Sequence, residues 1–317
     1  MATVMIPEPL PSPVEDSEAL RKAVQGWGTD EKAIIRILGH RNASQRLKIC
    51  QTYEQLYQES LVDRLQSELS GDFRNAVIQW TLDPPQRDAK MAKEALTKKD
   101  AKHLLVLVEI ACTSSPDHLI EVRRAYCSLF KCSFEEDIIL HVEPPFRKLL
   151  VSLVSSFRFD GEEADETEAQ KEATTLQEAI KKNALAEDIV VWILSTRNKF
   201  HLKTVFDCYK KIFEISIEEG IKQSLSGDFA SLLLTAIRCI HSPAKHFAEV
   251  VRSSIVGLGT DEDSLTRAIV TRAEIDMEKI KAEYLDAYKV KLVDDVIGDT
   301  SGNYKDILLT LLGDDKL

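Results

Sequence analysis

The chain has 317 residues, and its 41 Lys plus Arg against 52 Asp plus Glu give a formal charge of −11. That acidity argues against a nucleic-acid binder, which needs a basic face to displace phosphate counterions, and against unaided docking on an anionic membrane. The longest runs free of Asp, Glu, Lys and Arg are nine residues, 149–157 and 229–237, whereas a spanning helix needs about 20.

The N-terminus shows no basic region followed by a long apolar stretch, so no secretory signal is expected. Six cysteines form no C-x-x-C pair, which fits reduced thiols. With 44% hydrophobic and 29% charged residues the composition is globular. Low glycine and proline counts (12 and 10) with 3.6-period apolar segments predict an all-helical protein.

Three sets of landmarks repeat along the chain. Tyr53, Tyr126, Tyr209 and Tyr284 are spaced by 73, 83 and 75 residues. The same three spacings separate Phe73, Phe146, Phe229 and Tyr304, and also Arg41, Ser114, Arg197 and Arg272. Independent agreement of three sets defines four gapless repeats. They follow a short head (1–13) and span 14–83, 86–157, 171–242 and 244–317. The longer middle spacing falls on an acidic segment, 158–170, which reads as a solvated connector between a front and a back pair of repeats. Each repeat predicts several short helices that must stack on neighbours to bury their apolar faces. In the last repeat, Tyr304, Ile307, Leu308 and Leu311 form one stripe, and Ile275, Ile280, Tyr284 and Leu285 another.

The register isolates a loop in the first and last repeats. Gly26-Trp27-Gly28-Thr29 aligns with Gly257-Leu258-Gly259-Thr260, and a carboxylate follows 40 residues after the second glycine in each, Glu68 and Asp299. Glycines permit positive φ, so backbone carbonyls can turn inward. Three carbonyls and one bidentate carboxylate would give about five oxygen ligands, which suits Ca²⁺ and leaves positions open for a lipid phosphate. Magnesium, which demands a tight octahedron, fits less well. The other reading is a plain turn with the threonine capping the next helix; two copies in identical register favour the metal. Trp27 and Leu258, apolar on tight turns, read as membrane contacts. Two bound Ca²⁺ would bring the formal charge only to −11 + 4 = −7, so any membrane attraction must be local to these loops.

G-x-G-T-[DE] with a distant acid, set in four repeats, resembles the annexin family over residues 14–317, and Trp27 and the ILGHR segment resemble its plant-type members. The resemblance implies an all-α fold of four homologous five-helix repeats arranged as a curved disc. It implies Ca²⁺-dependent binding of acidic phospholipid by a cytoplasmic protein that becomes peripheral on membranes when calcium rises. Actin and self-association on membranes are further partners it brings, and nucleic acid is not one. It assigns type II calcium ligands to Val24, Gly26, Gly28 and Glu68, and to Ile255, Gly257, Gly259 and Asp299. Repeat two departs from the pattern, with Lys99, Asp100, Ala101 and Lys102 in the loop and His141 at the acid position. Repeat three departs with Lys182, Asn183, Ala184, Leu185 and Ser224. Neither is expected to hold such a site.

The resemblance also brings alternatives: a peroxidase-like enzyme using His40, a nucleotide hydrolase using the Asp299-Thr300-Ser301-Gly302 turn, and a calcium-permeable channel or channel regulator. A lone histidine beside Arg41 does not show a haem pocket, and no G-x-x-x-x-G-K-[ST] loop exists, so enzyme activity is not the expectation. Glu109 and Arg267, charged residues in apolar helical runs, match a family salt bridge at a central channel. Cys112 and Cys239 match cysteines with a suggested redox role, although a buried apolar role is the default for free thiols.

Overall fold

The computed structural model describes residues 1–26, 28–98, 100–257 and 259–314. Twenty α-helices and no strand occur among them, five helices to each repeat. Repeat one holds α1 (Pro13–Ala23), α2 (Glu31–Leu38), α3 (Ala43–Tyr57), α4 (Leu61–Glu68) and α5 (Gly71–Thr81). Repeat two holds α6 (Pro84–Lys98), α7 (Ala101–Thr113), α8 (Pro116–Phe130), α9 (Phe134–His141) and α10 (Phe146–Ser155). Repeat three holds α11 (Glu166–Lys181), α12 (Asp188–Thr196), α13 (Lys199–Phe213), α14 (Ile217–Ser224) and α15 (Asp228–His241). Repeat four holds α16 (Pro243–Ile255), α17 (Glu262–Arg272), α18 (Met277–Tyr288), α19 (Leu292–Asp299) and α20 (Gly302–Leu311).

Local chemistry sets the helix boundaries in the same register each time. The four landmark tyrosines are fully buried in the third helices. Each meets an aromatic ring one turn later, Tyr57, Phe130, Phe213 or Tyr288, with centroids 4.8–4.9 Å apart. Those helices all end on a residue in the left-handed region, Gln58, Lys131, Glu214 and Lys289, with φ between 55° and 60°. Three of the short fourth helices start from a serine, Ser60, Ser133 or Ser216, whose hydroxyl accepts a backbone N–H three residues on.

The chain divides into two compact units that differ from the front and back pairs read in the sequence. Met1–Pro84 and Ala244–Leu317 form one unit and Pro85–Pro243 the other, so repeat one joins repeat four and repeat two joins repeat three. The core of the first unit is built by both ends of the chain, with Ile34, Leu38 and Trp80 in one cluster with Leu265, Ile307 and Leu308. The second unit has its own cluster, which includes Leu107, Leu153, Leu233 and Ile237.

Two local expectations change. In repeat four Ile280 and Tyr284 are buried but Ile275 and Leu285 are about half exposed, so only part of that stripe faces the core. The acidic segment lies inside the second unit, and α11 begins within it because Asp165 accepts the Glu168 N–H at 3.0 Å and caps the helix. Its first residue is not solvated: Arg158 is buried, and its guanidinium donates to the carbonyls of Leu194 and Arg197 at 2.5 and 2.6 Å. Burial lowers its pKa.

Trp80 anchors the first unit. It is fully buried, donates Nε1–H to the Leu38 carbonyl at 2.7 Å, and carries the Arg46 guanidinium 3.6 Å above its ring centroid. Trp80→Ala should cost about 3–5 kcal/mol, read as a lowered urea midpoint. Trp80→Phe, which keeps most of the volume and removes one hydrogen bond while the Leu38 carbonyl still accepts the Arg41 N–H at 3.3 Å, should cost about 1 kcal/mol.

Candidate functional site

Both G-x-G-T loops belong to the first unit and are closed by the same backbone bond. The Asp30 N–H donates to the Ala23 carbonyl at 2.8 Å, and the Asp261 N–H to the Ser254 carbonyl at 2.7 Å. Asp30 and Asp261 then cap the following helices, accepting from Ala33 N–H at 3.0 Å and Ser264 N–H at 3.2 Å. The aspartates, not the threonines, are therefore the N-caps. Between these closures Gly26 and Gly28 have φ of 113° and 94°, and Gly257 and Gly259 have φ of 147° and 86°. A Cβ at any of the four would meet nothing within 4 Å. Glycine is thus required by the backbone conformation and not by crowding.

The threonines freed from capping reach the distant acids. Thr29 Oγ1 donates to Glu68 Oε2 at 3.3 Å, and Thr260 Oγ1 donates to Asp299 Oδ2 at 2.6 Å. Glu68 and Asp299 are the last residues of α4 and α19, where an extended residue, Leu69 or Thr300, stops the helix. Val24, the C-cap of α1, and Ile255, the last residue of α16, are both buried. Each loop therefore brings together a buried entry residue, two glycines in the positive-φ region and a half-buried carboxylate.

The donor set fits a hard cation. No group of three or more His, Cys, Asp or Glu side chains that could hold a metal occurs among the described residues, so a cation here would rely on main-chain oxygens with one carboxylate, a combination suited to Ca²⁺.

The corresponding segments of the other repeats are built differently. In repeat two the Asp100 carboxylate accepts the His103 N–H at 2.9 Å and starts α7 at Ala101. The register counterpart of Glu31, where α2 starts, is residue 104 (31 + 73), so α7 begins three residues earlier and takes Ala101 and Lys102 into the helix. At the acid position, His141 Nδ1 lies 3.0 Å from Asp137 Oδ1. Repeat three turns on Asn183 at φ 53°, with Ala184 N–H bonded to the Ala179 carbonyl at 2.8 Å, and Ser224 stands at its acid position.

The remaining predicted residues belong to several elements of both units. Trp27 and Leu258 lie outside the described residues. Glu109 is buried in α7 of the second unit. Arg267 is half-buried in α17 of the first unit, and enclosure of its guanidinium pushes its pKa down to about 10. Arg36, at the same register, is exposed. His40 is half-buried, with Nδ1 3.0 Å from the Arg36 carbonyl. Cys112 and Cys239 are buried within the second core, and burial raises the Cys112 thiol pKa. Arg36, His40 and Arg267 belong to neither loop.

Sequence reasoning missed Arg64, which does reach the first loop. Its Nη2 lies 2.8 Å from the Val24 carbonyl and 3.0 Å from Glu68 Oε1. The signal was present in the register, because the equivalent positions hold Asp137, Gly220 and Asp295.

Four five-helix repeats, two of them carrying a glycine loop joined to a distant carboxylate, define the class, and comparison with known proteins gives it a family. A family profile described as Annexin matches residues 15–80, 87–153, 171–236 and 246–311, one match per repeat. The chain belongs to the annexin family, known for calcium-dependent phospholipid binding. It is 51% identical to Annexin D3 of Arabidopsis thaliana and 50% identical to Annexin-like protein RJ4 of Fragaria ananassa, with 99% of both chains covered in each case. These relatives make it plant-type. Among solved structures it resembles annexin III (TM-score 0.91, 33% identity, 99% of this chain and 98% of that one). It also resembles calcium-bound annexin (Sm)1 (TM-score 0.85, 28% identity, 100% and 94%).

Gly259→Ala should destabilise the calcium-free protein by about 1–2 kcal/mol, through backbone strain alone. Urea unfolding in chelator would measure this, and Gly298→Ala, at a residue without positive φ and with open space around its Cβ, is the control that should cost nothing.

Proposed function

We propose that this protein binds acidic phospholipid surfaces when calcium rises, through two type II sites in repeats one and four. Val24, Gly26 and Gly28 would offer carbonyl oxygens and Glu68 a carboxylate in the first; Ile255, Gly257, Gly259 and Asp299 would do so in the second. The observation that carries this reading is the shared construction of the two loops. Both have the same closing bond, the same aspartate cap, two positive-φ glycines and a threonine tied to an acid 39 residues on. Repeats two and three, which lack the glycines and the acid, build helix or a different turn there.

About five protein oxygens leave part of a 6–8-oxygen shell open. The metal supplies the local positive charge that lipid phosphate needs next to an acidic protein. Trp27 and Leu258, between the glycines, would add apolar contact at the membrane–water interface. Among the described residues no helix is long and apolar enough to cross a membrane, and the attachment proposed is peripheral; its cytoplasmic side is part of the proposal.

Sedimentation with phosphatidylserine vesicles tests the assignment. Glu68→Gln and Asp299→Asn should each shift the calcium midpoint several-fold upward while keeping partial binding, because two sites act together. The double variant should lose at least about tenfold, and chelator should release the wild type completely. Undiminished binding by the double variant would refute the assignment.

A further inference from the structure

The two sites differ in charge one helical turn before the acid, where repeat one has Arg64 and repeat four Asp295, and the difference traces to how each repeat supplies a carboxylate to a buried tyrosine. In repeat four, Asp295 of α19 accepts from Tyr284 Oη at 2.6 Å and from Arg252 at 2.7 Å. The register equivalents in repeat one are Tyr53, Arg21 and, in place of the aspartate, Arg64. There the carboxylate comes from Glu59, just ahead of α4: Tyr53 Oη donates to Glu59 Oε1 at 3.1 Å, and Arg21 pairs with the same residue. Its counterpart in repeat four is Val290. Once Glu59 fills this role, position 64 need not be acidic.

Arg64 points instead to the loop. One nitrogen, Nη2, reaches both the Val24 carbonyl and Glu68 Oε1, at 2.8 and 3.0 Å. These are two of the oxygens assigned to the first calcium site. Arg64 Nε is buried with no hydrogen-bond partner among the described residues. The bonds given to this guanidinium are thus the ones that use the metal's ligands. At the second loop Asp295 is turned away toward Arg252 and Tyr284, and the partner given to the Asp299 side chain is the neutral Thr260 hydroxyl.

We propose that Arg64 is a tethered competitor for the cation at the first loop, holding Val24 and Glu68 until calcium displaces it, so that the repeat-four site fills at lower calcium than the repeat-one site. The inference rests on the reading of both loops as calcium sites. Loading the first loop must break two bonds made by a positive group and leave that group beside a divalent cation. The pair is about 30% exposed, so solvent screening keeps the effect modest, roughly three- to tenfold in affinity.

The test uses the full chain with Ca²⁺ as the only ligand, read by calorimetric titration and by the calcium-induced rise in melting temperature. In an Asp299→Asn background only the first site remains. Adding Arg64→Gln, whose amide can still donate to the Val24 carbonyl, should tighten binding about three- to tenfold; Arg64→Ala should do the same. In chelator both should melt slightly lower than their parent, since the latch is lost. In the otherwise native chain, Asp299→Asn should remove the tighter event and Glu68→Gln the weaker one. Affinity that is unchanged or weaker in both Arg64 variants, or the reverse order of events, would overturn the proposal. If Asp299→Asn and Glu68→Gln leave the native titration unaltered, the calcium sites themselves are misassigned, a failure visible without touching Arg64.

Discussion

The first unit depends on burial shared between residues far apart in sequence. No five-helix repeat can hide all its apolar faces alone, and the faces of repeat one are covered by repeat four. Trp80, Ile34 and Leu38 from one end of the chain occupy a single core with Ile307, Leu308 and Leu311 from the other. Folding this unit therefore requires the chain to close on itself across Pro85–Pro243, a long-range pairing with a large loop-closure entropy. Both glycine loops are in this unit, so their geometry is supported by the same closure. The second unit is stabilised by an independent cluster and carries neither loop.

Much of this was legible because the repeats share both spacing and chemistry. The landmark tyrosines mark one buried position in four third helices, and their one-turn aromatic partners and left-handed caps follow in register. The loops were equally legible: two glycines with nothing to pack against can be explained only by backbone conformation, which sequence reveals when the pattern occurs twice. Which repeats pair was not legible, because an apolar stripe does not name the stripe that covers it. The acidic segment was read correctly over most of its length, since residues 159–168 are exposed or half-exposed, but not at its start. Its net charge suggested solvent, yet Arg158 caps two carbonyls inside the second unit, and a single buried guanidinium leaves no trace in a composition window.

Arg64 illustrates a further limit. Residues 64 and 68 are one helical turn apart, and the sequence alone would give them an ordinary i,i+4 surface pair. The contact to the Val24 carbonyl, 40 residues away in sequence, makes the pair relevant to the loop. The carboxylate that meets Tyr53 and Arg21 comes from Glu59, ahead of the fourth helix, whereas repeat four draws it from Asp295 within that helix. An arginine is tolerable at position 64 because Glu59 supplies the acid that the buried tyrosine and Arg21 meet.

The four versions of one loop show what it takes to leave main-chain oxygens outside a helix. A peptide carbonyl inside a helix is already committed to an N–H four residues on. In repeat two Asp100 caps α7 early, and Ala101 and Lys102 become helical, so their oxygens join that ladder and a metal would have to compete with it. In repeats one and four the aspartate cap stands three register positions later, at Asp30 and Asp261. The glycines ahead of it stay outside the helix, in conformations most residues avoid. The loop thus accepts conformational strain and forgoes intrahelical bonds, and gains main-chain oxygens available to a ligand. The acidity of the whole chain matters little to that exchange. Its outcome is decided by where one aspartate starts a helix and by whether an arginine, Arg64 in repeat one, joins the threonine in holding the carboxylate.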